Sequence, residues 1–155
     1  MRLTPDTVAT ERDRLRDRAP RVVDLANAVR ADLGAAFDTD VDEVTERQYR
    51  EVVAEVFADG ALGVNVAGLA RLLREIDVAD DYPGFVVDEL LGRELAGMIA
   101  GGQPLRLLGE ATFHYADVRV DGPDAGADDL DAALAAGVQT RLPGWDWRET
   151  DPFGV

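Results

Sequence analysis

The amino-acid sequence predicts a mainly helical α+β fold, a helical domain finished by a C-terminal two-stranded β-hairpin. Three observations predict it. Apolar residues recur at helical spacing through most of residues 22–99, as amphipathic helices require. The period then shortens to two between residues 105 and 120, as strands require. Finally, 46% of the 155 residues are hydrophobic although the net charge is −15. That balance fits a folded domain with an acidic surface and excludes a wholly disordered chain.

Each element has its own local signals. Thr4-Pro5-Asp6 opens a first helix: a capping hydroxyl, proline in the first turn and an acid at the positive end of the helix. Pro20 interrupts it and either kinks it or starts a second helix. Val22, Leu25, Ala26, Val29 and Leu33 follow at helical spacing. Val8, Leu15, Val22 and Val29 stand seven apart, but Glu11, Arg18 and Asp32 hold the companion positions, so the coiled-coil pattern is incomplete. Thr45 to Gln48 spells a capping box. The helix it opens carries Tyr49, Val52, Val53, Val56 and Phe57, with Gly60 as its stop. Asn65 is the expected cap for a helix bearing Val66, Leu69, Leu72, Leu73 and Ile76. A further helix carries Val86, Val87, Leu90, Leu91, Leu95, Met98 and Ile99 and ends at Gly101-Gly102.

Leu105–Leu108 and Ala111–Val120 read as two strands joined at Gly109-Glu110. Phe113 and Tyr115 would then face one side, and His114, Ala116, Val118 and Val120 the other. After an acidic, turn-rich stretch, Leu130–Ala136 predicts a short helix stopped by Gly137. The expected organisation is a single domain over 1–122, with a helical arm at 1–36 and a core at 45–122. An acidic linker and aromatic tail occupy 123–155.

Composition removes much of the catalytic repertoire. All 16 basic side chains are arginine; lysine, serine and cysteine are absent, and His114 is the one histidine. Serine and cysteine nucleophiles, lysine Schiff bases, P-loop lysines and thiolate metal sites are therefore excluded. The 31 acidic residues repel phosphate backbones and anionic lipid. Acid excess without lysine resembles the proteins of salt-loving archaea, where molar salt screens such repulsion to within about 3 Å; a high-GC genome produces a similar arginine bias. No stretch reaches 18 apolar residues, and the N-terminus lacks a signal core, so a cytoplasmic protein with no membrane contact is expected.

Asp38, Asp40 and Asp42 open like a calcium loop, yet Glu43 stands where glycine is needed and Tyr49 where a bidentate glutamate is needed. A solvated connector is expected there, and a hydrated surface at Asp121, Asp124, Asp128, Asp129 and Asp131. His114 is expected as a packed histidine, since no second histidine is present to complete a zinc or iron site. Carboxylate pairs such as Glu110 and Asp117 have no spacing that distinguishes them among so many acids. No cofactor, no metal and no catalytic residue are assigned.

The expected function is a non-catalytic protein-interaction or regulatory adaptor in a high-salt cytoplasm. Its partner would be a protein, met by Val22, Leu25 and Val29 of the N-terminal helices or by Trp145, Trp147 and Phe153 of the tail; the N-terminal helices also suit a homo-oligomer. The order of three helices and a hairpin over 45–120 resembles a winged helix, in element order alone. That resemblance implies a DNA-binding regulator as the alternative, contacting DNA through Arg93, Arg106 and Arg119, although the charge disfavours nucleic acid. An oxygen-ligand metal-dependent hydrolase ranks third. If the tail is a docking peptide, Ala at both Trp145 and Trp147 abolishes partner capture and leaves the circular dichroism unchanged; unfolding of the double variant would instead make the tail part of the core.

Overall fold

The computed structural model describes residues 2–75, 82–120 and 125–144, the side chains of 82–88 and 125–128 excepted. Among the described residues seven α-helices follow one another: α1 (Pro5–Asp17), α2 (Ala19–Ala36), α3 (Glu46–Ala58), α4 (Gly60–Glu75), α5 (Tyr82–Ala100), α6 (Leu105–Asp117) and α7 (Ala125–Gln139). There is no strand among the described residues. The α+β expectation is thus overturned, and the winged-helix order with it.

The local start signals act as the sequence predicts. Thr4 accepts from the backbone N–H of Thr7, and Thr45 from that of Gln48, each within a reciprocal capping box. Pro20 lies in the first turn of α2, so it opens a second helix instead of kinking the first. Asp38 (φ 49°) is in the left-handed region. The N–H of Thr39 reaches the carbonyl of Gly34, and that of Asp38 reaches Ala35, a Schellman ending for α2. Gly60, expected as a stop, begins α4, and Asn65 lies within that helix.

The hairpin misreading has a physical cause. Over a few residues, alternation and helical periodicity select overlapping sets. Gly109, Phe113 and Ala116 are buried on α6, spaced four and three apart. Tyr115, which a strand would place beside Phe113, is exposed. Complete burial of Phe113 contributes about 1.5–3 kcal/mol, and the helix secures it while satisfying its own backbone. Gly109 is not a turn. A Cβ there would lie 2.7 Å from the Ala100 Cβ and 3.0 Å from the Ala96 carbonyl, so its bare backbone lets α6 press onto α5.

Residues after 122 contribute the most enclosed helix. Residues 129–140 are buried without interruption. Apolar character all round, and not a stripe, is what a central helix needs. It packs chiefly on α5 and α6 and also meets α2 and α4. Gly137 does not stop it: that position faces Ile99, whose Cβ lies 2.7 Å from where a side chain would begin. The helix reaches two residues beyond.

Buried polar groups lock the layers. Arg30 is 1% exposed. Its guanidinium donates to Gln139 Oε1 at 2.7 Å and to the carbonyls of Asp42 at 2.9 Å and Pro143 at 2.6 Å. Gln139 in turn donates to the Ala26 carbonyl. The buried Tyr49 hydroxyl donates to the Leu15 carbonyl at 2.6 Å. Burial, then the nearby Asp131 charge, push its pKa above the usual phenol value. Asn27 pairs with both backbone groups of Val44 and holds the connector against α2. No single helix among the described residues is long and apolar enough to cross a membrane; α3 and α4 pass that test only jointly, across a 113° bend.

Glycine substitutions separate packing from propensity. Gly109→Ala gains up to about 1 kcal/mol of helix propensity but overpacks the α5–α6 contact, and a net loss of about 1–2 kcal/mol is expected in urea unfolding. Gly60→Ala, with no atom within 4 Å of the new Cβ, gains about 0.5 kcal/mol in the same assay.

Candidate functional site

Burial of one α6 stripe leaves the opposite stripe outside. Leu107, Ala111, His114 and Val118 follow one another by four, three and four residues, with Leu108 and Tyr115 beside them. Leu107 is 61% and Val118 75% exposed, and Leu108 and Tyr115 are each about two-fifths exposed. Four of the nine large hydrophobics exposed among the described residues therefore belong to α6 or its cap. Leu90 on α5 and Phe37 at the end of α2, 71% exposed, flank them.

Two grooves border this face. The first, about 360 Å³, lies between α2, α6 and the end of α7. Leu33, Phe37, Leu108, Ala111 and Tyr115 make it apolar, and Thr39, Thr112, Gln139 and Thr140 supply its few polar groups. Concave apolar surface with a few polar groups is the usual composition of a binding groove. The second, about 410 Å³, lies between α5 and α6 and is lined by Leu90, Arg93, Glu94, Leu107, Glu110, Ala111 and His114. Its carboxylates are neutralised: Arg106 contacts Glu94 at 2.6 Å and Glu110 at 3.5 Å. Ala111 lines both grooves, so they meet along the α6 surface.

The residues expected to act are distributed differently. Val22, Leu25 and Val29 are buried in the chain's own core, which closes the surface a partner or a second copy would need. Trp145, Trp147 and Phe153 lie outside the described residues. Arg93 lies on α5, Arg106 on α6 and Arg119 just beyond it. Arg106 is held by the two glutamates. Arg119 donates to both oxygens of Asp32, its Nε at 2.6 Å. Arg93 is half-buried, with its Nε sealed away from solvent and acceptors. His114 is exposed on α6, and its ring meets that of Phe113 edge-on, with the centroids 6.3 Å apart.

The acidic clusters are similarly sorted. Asp42 is tied into the fold through its backbone, which accepts from Arg30 and donates to the Gly144 carbonyl. Asp131 is buried and bound by Arg18 Nε at 2.6 Å, not spread on a hydrated surface. Asp121, Asp124 and the side chain of Asp128 lie outside the described set. Among the described residues, no three of His, Asp and Glu are placed to hold a metal ion. The exposed apolar residues of this candidate site that sequence reasoning missed are Phe37, Leu107, Leu108, Tyr115 and Val118. Reading 105–120 as a helix would have aligned the last four.

Surface electrostatics are set by pairs. Hydrogen bonding from Arg119, against a smaller desolvation effect, holds the Asp32 carboxyl below its ordinary value of 3.8. A depressed folded pKa means that the pair's contribution is present above the unfolded value and is lost as pH falls through the folded one. An NMR titration should place the Asp32 midpoint below 3.8, and Arg119→Gln should return it upward; an unmoved midpoint would show that the pair does not persist in solution.

The family model described as "Domain of unknown function (DUF7984)" matches residues 1–155, and the chain belongs to that family. No curated protein and no solved structure matches the chain.

Proposed function

We propose that this family member is a non-catalytic protein-interaction or regulatory adaptor, working in a high-salt cytoplasm, that receives a partner protein on the outer face of α6. The observation that carries the reading is the concentration of exposed Leu107, Leu108, Tyr115 and Val118 on one helix, continuous with an apolar groove. A chain with 31 acidic residues has ample polar surface, so a contiguous apolar face marks an interaction surface more than a shortage of charge. The acid excess without lysine supports the high-salt setting.

Charge complementarity specifies the occupant. The groove's α2 rim carries the exposed acids Asp38 and Asp40 beside Phe37 and Thr39. A second copy at −15 brings the same acid excess to the contact. The complementary partner is a different protein with an aromatic or aliphatic anchor flanked by basic residues. Missing nucleophiles, and carboxylates held in ion pairs, support the non-catalytic reading.

A photo-crosslinking amino acid at position 107 should trap one discrete heterologous adduct in cells. The same group at position 64, an exposed valine on α4, should not. Leu108→Asp with Tyr115→Asp should remove the adduct while the folded spectrum is kept. Equal adducts at both positions, an adduct of the chain with itself, or no adduct would each sink the proposal.

A further inference from the structure

A second surface feature lies at the α1–α2 break, apart from the α6 face. Arg14, Arg18 and Arg21, with Arg74 from the last turn of α4, line an open cavity of about 440 Å³. Asp17 and Pro20 complete its wall. We propose that this cavity binds a small, multiply charged phosphate-bearing ligand, with Arg18 and Arg74 as a fixed base and Arg14 and Arg21 as closing arms.

The local composition is the reverse of the chain's. Acids outnumber arginines 31 to 16 overall, yet among the described residues four arginines and one acid line this cavity. Gathering like charges costs Coulomb energy unless counter-charge accompanies them. Two of the four receive it from behind. Arg18 Nε donates to the buried Asp131 at 2.6 Å. Arg74 donates to both oxygens of Glu11 at 2.7 Å, and that carboxylate is 3% exposed. These bonds fix both guanidinium groups before any ligand arrives, and preorganisation of that kind reduces the cost of binding.

The side chains of the other two, Arg14 and Arg21, are exposed. Arg21 makes no ion pair among the described residues, and Arg14 has only a 3.4 Å contact with Glu11. Among the described residues, counting Glu11, Asp17 and Asp131 against the four arginines leaves one positive charge, in a molecule whose total is −15. The arms' guanidinium forks match oxyanions bidentately. A phosphate group presents oxygens to several forks from different sides, whereas a carboxylate presents two in one plane. Among the described residues no aromatic side chain lines the cavity, and recognition is assigned to the phosphate portion.

Inorganic pyrophosphate is the probe, titrated calorimetrically into the full chain in a salt that keeps it folded. Saturable 1:1 binding is expected. Arg14→Ala and Arg21→Ala should each weaken it about tenfold, the worth of a hydrogen bond to a charged group, with unchanged circular dichroism because neither side chain is buried. Arg93→Ala, in a different groove, should leave it intact. No saturable binding at millimolar pyrophosphate, or binding that survives the Arg14/Arg21 double variant, would overturn the site. Citrate binding as tightly as pyrophosphate would overturn the phosphate assignment. The α6 crosslinking result bears on neither outcome, since the two surfaces share no residue.

Discussion

The Arg30 guanidinium is the group on which the arrangement of the other elements depends. A buried guanidinium keeps its charge and must have its donors met. Its acceptors come from α7, from the connector before α3 and from the turn after α7. The connector before α3 and the end of α7 are far apart in sequence, and one side chain on α2 joins them. Gln139 extends the lock by donating back to Ala26 on α2. With α2 and α7 joined in this way, Gln139 and Thr140 are held at the floor of the apolar groove. Leu33 and Phe37 are carried to its wall.

Small residues decide which side of α6 faces outward. Gly109 lets α6 close onto α5, and Gly137 lets α7 close onto the same helix. Close approach of three helices rotates Phe113 and Ala116 fully inward. Among the described residues Leu107, Leu108, Tyr115 and Val118 then stay on the exposed side. The exposed face that supports the adaptor reading thus results from tight packing underneath it. A wider α5–α6 spacing would admit larger side chains between the helices and leave a different stripe outside.

Arginine performs two jobs here. Pairs one helical turn apart, such as Arg71–Glu75 and Arg47–Glu51, are exposed and contribute little. The long-range pairs tie elements together. Arg18–Asp131 joins the α1–α2 break to α7, Arg119–Asp32 joins the end of α6 to α2, and Arg74–Glu11 joins α4 to α1. Arg18 and Arg74, each held by a buried acid, line one cavity. That is how a strongly acidic chain comes to have a basic cavity beside its first helix break, while Arg106 and Arg119 are occupied with carboxylates.

The sequence by itself determined what depends on neighbours along the chain. The capping boxes at Thr4 and Thr45, the break at Pro20 and the buried face of α3 all follow from residues within one or two turns. So does the excluded chemistry, which is a matter of which side chains exist. Tertiary structure decided the rest. Residues 105–120 satisfy a two-residue period and a helical one almost equally, and packing against α5 and α7 selects the helix. The alanine-rich α7 has no stripe to read because every side is buried. Arg74 joins Arg14, Arg18 and Arg21, and Phe37 joins Leu108 and Tyr115, through contacts between elements distant in sequence. Local spacing encodes secondary structure; which side chains stay in solvent is settled when the helices pack.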